Sequence, residues 1–147
     1  MNTLTNTDEI TCRDDCTYMM DVPTRWNDND QLGHVNNVMY YSYFEAVVVR
    51  FLMQEGGLDW MTDQTVPLAV ETLCKFRRSL SYPDMVEAGL RITKMGNSSV
   101  TYSVGLFTEG NDAPAALGHF VHVYVDRDTD SSVPIPDHFR ALYKRYS

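Results

Sequence analysis

Residues 38–57, VMYYSYFEAVVVRFLMQEGG, constrain the fold more than any other part of the chain. The run has the length of a helix and ends in the pair Gly56 and Gly57, suited to a C-terminal cap. Val47, Val48 and Val49 prefer strand locally, so the helix assignment rests on length and flanking signals. Up to Gln54 only Ser42, Glu45, Arg50 and Gln54 are clearly polar, and a helix apolar on most of its circumference has to be covered on nearly every side.

The remainder of the chain supplies the cover. Alternation around Tyr18, Met20, Val22, Thr24 and Trp26 predicts a first strand, and Pro23 puts it at a sheet edge or beside an irregularity. Past the helix, three segments alternate apolar and polar: Leu68 to Phe76, Val86 to Ile92, and Val100 to Leu106. Turn signals follow them at Ser81-Tyr82-Pro83-Asp84, Gly96-Asn97 and Gly110 to Pro114. Leu117 to Asp126 is apolar on both faces, as a central strand is, and PDHFRALYKRY at the end reads as a short helix with basic residues in its last turn. The order of elements predicts an α+β fold in which an antiparallel sheet wraps one long helix. Residues 1–14, polar and unpatterned, are expected to form a mobile N-terminal tail outside the core, and 15–147 a single domain.

Composition narrows the function. A length of 147 residues allows one domain. The net charge of -8 excludes a phosphate-tracking nucleic-acid protein or a binder of anionic membranes unless cations are concentrated locally. No run approaches the length of a membrane span without a charge, and the N-terminus lacks the basic-then-apolar order of a signal peptide. Cys12, Cys16 and Cys74 are odd in number and form no CxxC pair, so reduced thiols in a cytoplasmic protein are expected rather than disulfides or a zinc site.

The loop between first strand and helix, Arg25 to Asn37, holds two carboxylates, one histidine and one glycine beside the apolar helix. A helix N-terminus presents unpaired N–H groups and partial positive charge, which polarise a carbonyl or stabilise an oxyanion. A carboxylate near it stays ionised and serves as base or nucleophile. Asp30 lies too far from the helix start to cap it; Asn36 and Asn37 are the cap candidates, and Asp28 is expected to brace the loop. Asp28, Asp30 and His34 are metal-ligand types, but no further cluster completes a shell, so no metal is expected. His119 and His122 fall on opposite faces of the last strand by parity. No GxSxG elbow is present.

The residues RWNDNDQLGHVNNVMYYSYFE closely resemble the signature of hotdog-fold acyl-CoA thioesterases of the 4-hydroxybenzoyl-CoA thioesterase group, D-x-D-x-x-G-H-V-N-N-x-x-Y-x-x-Y-F-E. Looser likeness continues through Ser81 to Asp84, Gly96 to Ser99 and Val133 to Pro136. The resemblance implies the hotdog fold and hydrolysis of an acyl-CoA thioester without a cofactor. It also implies that Asp30 is the catalytic carboxylate, attacking the thioester or activating a water, and that the oxyanion contact is the backbone N–H of Asn37. His34 and Asn36 would shape the loop or touch substrate, Gly33 would allow a positive φ or close backbone approach, and Tyr40 is a candidate for the acyl pocket. Lys75 and Arg77, sharing a strand face, with Lys94, Ser98 and Ser99, are the candidates for coenzyme A. The turn Met95 to Ser99 departs from the basic turn of the 4-hydroxybenzoyl-CoA enzyme. A homodimer or homotetramer is implied as well. A non-catalytic acyl-CoA or fatty-acyl binding module, and a hotdog dehydratase or carrier-protein thioesterase, are the competing classes.

Overall fold

The computed structural model describes residues 9–147. The central helix α1 (Asn37–Gln54) starts where Asn36, in extended backbone, turns its side-chain oxygen to accept the Val38 N–H at 3.0 Å. It ends at Gln54, and just beyond it Gly57, whose φ of +66° suits a residue without Cβ, turns the chain while the Leu58 N–H folds back to the Leu52 carbonyl at 3.0 Å. Tyr40, Tyr43, Phe44, Val47, Val48, Phe51 and Leu52 are buried.

Five strands form one antiparallel sheet in the order β1-β3-β4-β5-β2: β1 (Tyr18–Pro23), β2 (Thr65–Phe76), β3 (Met85–Met95), β4 (Ser99–Thr108) and β5 (Asn111–Asp126). The α+β hotdog architecture expected from the sequence is the one observed. Pro23 ends the edge strand β1 opposite Met85, and Trp26 already belongs to a 3₁₀ turn (Trp26–Asp28), so the first strand is shorter than its alternation suggests. The segment 110–114, expected as a turn, instead opens β5. Glu109 and Gly110, the latter at φ +78°, turn the chain, and Pro114 lies where the β4–β5 register slips between Leu106 and Thr108.

The second helix, α2 (Asp137–Arg145), carries Lys144 and Arg145 in its last turn. Tyr143 fastens it to the sheet: its hydroxyl meets that of Tyr102 at 2.9 Å and that of Tyr124 at 2.5 Å, forming a file of three buried phenols.

Two expectations need correction. The first concerns the tail. Within the described part of residues 1–14, Ile10 is 1% exposed and packs with Phe107 and Leu117 on the face of the sheet away from α1. Arg13 is held by Glu87 at 3.0 Å and by the carbonyls of Thr108 and Asn111. An isolated isoleucine gives no periodicity, which is why the alternation does not reveal this packing. The second concerns α1, which is not covered on all sides within one chain. Val38 is 72% exposed, and Tyr41, Ser42, Glu45 and Met53 are open as well. This stripe has helical spacing. The edge strand β2 likewise leaves Leu68, Val70 and Leu73 exposed.

Candidate active site

The loop preceding α1 is organised from below by Asp28, which is 1% exposed. Its Oδ2 accepts the Tyr43 hydroxyl at 2.7 Å and the Arg25 N–H at 2.9 Å, and its Oδ1 faces the Arg25 guanidinium at 3.1 Å. Burial pushes this carboxyl upward, but the hydrogen bonds from Tyr43 and Arg25 outweigh it and hold the pKa below the ordinary value. Tyr43 is pushed up by its own burial and by bonding to that carboxylate. Asp28 therefore braces the loop, as its position suggested.

Above this anchor the chain makes a narrow excursion. Asn29 bridges to Val35, the Asp30 N–H donates to the His34 carbonyl at 2.8 Å, and the Gly33 N–H donates to the Asp30 carbonyl at 3.1 Å. Gly33 turns at φ +80°, the left-handed conformation in which a Cβ is strained. The Asp30 Oδ1 accepts the Leu32 N–H at 2.9 Å, an Asx turn that fixes the carboxylate's direction. Val35, buried, ties the loop to the connection between β2 and β3 through its N–H to the Leu80 carbonyl at 2.7 Å.

Asp30, His34 and Asn37 line one side of a cleft of about 380 Å³, whose other walls are Tyr40, Phe76, Arg77, Arg78 and Ser79. Asn37 is the first helical residue. Its N–H is one of the orphan donors of the helix start and has no hydrogen-bond partner among the described residues. Tyr40 is buried, accepts the Leu80 N–H at 3.2 Å and stands edge-to-face with Phe76, ring centroids 4.9 Å apart. The cleft thus combines a carboxylate, a helix N-terminus and an aromatic floor. Asn36, the cap, lies next to it rather than among its lining residues.

The basic residues divide. Arg77 and Arg78 line the cleft; Arg78 is held by the Thr108 hydroxyl at 3.0 Å and the Ala113 carbonyl at 2.8 Å. Lys75 and Arg77 both meet Glu9. Lys94, Ser98 and Ser99 are not brought to the cleft within the chain. Phe76 pairs with Ala116 and that with Leu106, whereas Ser99 pairs with Val123 and that with Leu68. Seven strand steps separate Ser99 from Leu106, roughly 23 Å at the usual rise. Sequence reading passed over Phe76, Arg78 and Ser79 as cleft residues; the parity of Phe76 with Cys74 was the available signal for the first.

Other reactive groups are tuned away from chemistry. The free thiols of Cys16 and Cys74 are pushed up to about 12 and about 11 by burial, so both stay protonated near neutrality. His119 and His122 do lie on opposite faces: His119 approaches Glu71 at 3.5 Å, and His122 is buried against Tyr102. Burial drives His122 down to about 4, and its Nδ1 has no partner among the described residues. No group of three His, Cys, Asp or Glu side chains among the described residues is placed to hold a metal, and none of their helices is long and apolar enough to cross a membrane.

Comparison with known proteins agrees with this architecture. The sequence model described as the thioesterase-like superfamily matches residues 24–142. The solved PA5185 protein of Pseudomonas aeruginosa strain PAO1 is 38% identical and superposes with a TM-score of 0.90, covering 93% of this chain and 96% of its own. A thioesterase of Thermus thermophilus, solved with coenzyme A and Zn, is 28% identical with a TM-score of 0.73, covering 86% and 96%. The Bacillus subtilis (strain 168) protein YsmA is 27% identical over 119 residues, 79% of this chain and 78% of its own. The chain, with its sheet-wrapped helix and the loop motif at the helix start, belongs to the thioesterase-like superfamily and has the hotdog fold.

Proposed function

We propose that the protein hydrolyses acyl-CoA thioesters with Asp30 as the essential carboxylate. The observation that carries this reading is the opening of the Asp30 carboxylate and the Asn37 helix start into the same cleft. A thioester carbonyl seated against that helix turn has its oxygen polarised by the free Asn37 N–H and the positive end of α1. Asp30 then either attacks the carbonyl carbon, expelling the coenzyme A thiolate and leaving a mixed anhydride for water to cleave, or removes a proton from the attacking water. Either route consumes one water and yields free acid and thiol. Its bond from Leu32 leaves the second oxygen available for this work. His34 and Gly33 shape the loop, and Tyr40 with Phe76 supports the acyl group. Coenzyme A bound by the Thermus thermophilus relative supports coenzyme A as the carrier.

The working unit in this reading is a homodimer joined edge to edge through β2, or a tetramer built from such dimers. The exposed edge of β2 and the open apolar side chains of Val38, Tyr41 and Met53 support it, because long open edges are otherwise covered or blunted. An antiparallel β2–β2 pairing brings the Leu68 end of one copy beside the Phe76 end of the other. Lys94, Ser98 and Ser99 would then approach the partner's cleft, the one way in which they serve it. The test is thiol release from a panel of acyl-CoAs: turnover by the native protein and a fall of at least about a hundredfold in Asp30→Asn are expected, and undiminished turnover rejects the assignment.

A further inference from the structure

The two cations proposed for coenzyme A are already occupied. Lys75 and Arg77 lie on the outer face of the β2 end, and Glu9 meets both: Lys75 Nζ through Oε1 in a close ion pair, and Arg77 Nη2 through Oε2 at 3.5 Å. The Glu9 side chain is only 11% exposed, less than either cation. It is also delivered by a segment with its own anchors. Ile10 sits in the cluster of Phe107 and Leu117, and Leu117 is the register partner of Lys75. Arg13 spans to Glu87 and lies 5.1 Å over the Phe107 ring. The packing of Ile10 thereby fixes Glu9 over the cations independently of the ion pairs.

Arg77 is the link to chemistry, since it touches Glu9 and lines the Asp30 cleft at once. A nucleotide-bearing thioester entering that cleft brings phosphates toward a position where a carboxylate stands. The cation ends of both pairs are open to solvent, Lys75 at 40% and Arg77 at 53% side-chain exposure, and a phosphate offers them more charge and more acceptor oxygens than the carboxylate does, so exchange is favoured. We propose that Glu9 is an internal counter-anion occupying a phosphate subsite formed by Lys75 and Arg77, and that the nucleotide phosphates of coenzyme A displace it. Resting on the thioesterase reading only for the identity of the ligand, this makes Glu9 a determinant of specificity: it raises the phosphate charge a ligand must carry to bind.

The test measures binding of adenosine 3′,5′-bisphosphate, which carries nucleotide phosphates without a thioester, to the full chain by calorimetry at low salt. Glu9→Gln is expected to bind at least about fivefold more tightly than the native protein, and Lys75→Gln/Arg77→Gln at least about tenfold more weakly. Glu9→Asp, retaining the charge, is to stay near the native value. Equal affinity of Glu9→Gln and native protein overturns the proposal, as does undetectable binding by both or full affinity in the double variant. A purely structural Glu9 lowers the melting temperature of Glu9→Gln without tightening the nucleotide, which also overturns it. Hydrolysis is no part of this readout. Tightening without any thiol release would sink the thioesterase reading and leave the subsite standing, whereas turnover with unchanged nucleotide affinity would do the reverse.

Discussion

The two flanks of α1 are built on different terms. Toward β1, β3 and α2 the helix is closed: Phe51 is fully buried and packs edge-on against Tyr18 at 5.2 Å and Tyr146 at 5.0 Å. Elsewhere it is open, with Val38, Tyr41 and Met53 exposed, as is Val70 of the edge strand β2 at 60%. The sheet edges repeat the contrast. The six-residue β1 ends in Pro23, whereas the twelve-residue β2 has its proline, Pro67, near its start and beyond it runs on with exposed Leu68, Val70 and Leu73 and an irregularity between Ala69 and Glu71. One flank is sealed within the chain; the other leaves apolar side chains open to solvent among Ser42, Glu45 and Glu71.

If that contrast is right, substitutions on the two flanks fail differently. Phe51→Ala, on the closed flank, should cost about 3–5 kcal/mol of unfolding free energy in a urea titration while leaving any assembly intact in sedimentation. A loss below about 1 kcal/mol would mean that the closed flank is less tightly packed than its burial indicates.

His122 lies in β5, next to the open edge. Because its folded pKa is depressed to about 4 from 6.5, the unfolded chain takes up a proton that the folded one refuses. Stability contributed by neutral His122 is therefore complete above pH 6.5, declines as the pH falls toward 4, and is gone below it, a change of about 3 kcal/mol. His122→Leu should flatten this part of the stability curve; an equally steep acid loss in the variant would assign the slope to other groups.

Val70→Lys places charge on the open edge. Its expected effect is a dimer dissociation constant at least about a hundredfold higher, near 2.7 kcal/mol, with the circular dichroism of the chain preserved. A native protein that sediments as a monomer at micromolar concentration would remove the dimer proposal itself. The smallest effect belongs to the helix cap: Asn36→Ala should lower stability by about 1 kcal/mol, since only one orphan N–H of α1 loses its side-chain acceptor.

Much of this was legible in the sequence because the governing signals are local. The apolar run and the glycines beyond it defined α1; Pro23 marked an edge; Asn36 and Asp28 took the roles their side chains suit, capping and bracing. Parity correctly separated the two histidines of β5. What escaped depends on distances through space. Lys94, Ser98 and Ser99 share a strand turn with no local indication that it lies at the far end of the sheet from Asp30. The insertion of Ile10 and the reach of Glu9 across more than sixty positions to Lys75 leave no periodic trace, because one residue meeting a distant strand has no pattern to repeat.

The file of phenols formed by Tyr102, Tyr143 and Tyr124 gives the molecule a built-in optical reporter. Burial raises the pKa of all three above the ordinary tyrosine value, so alkali must open the structure before it can strip their protons. An abrupt alkaline step in the ultraviolet spectrum from these three would record collapse of the fold rather than a simple titration.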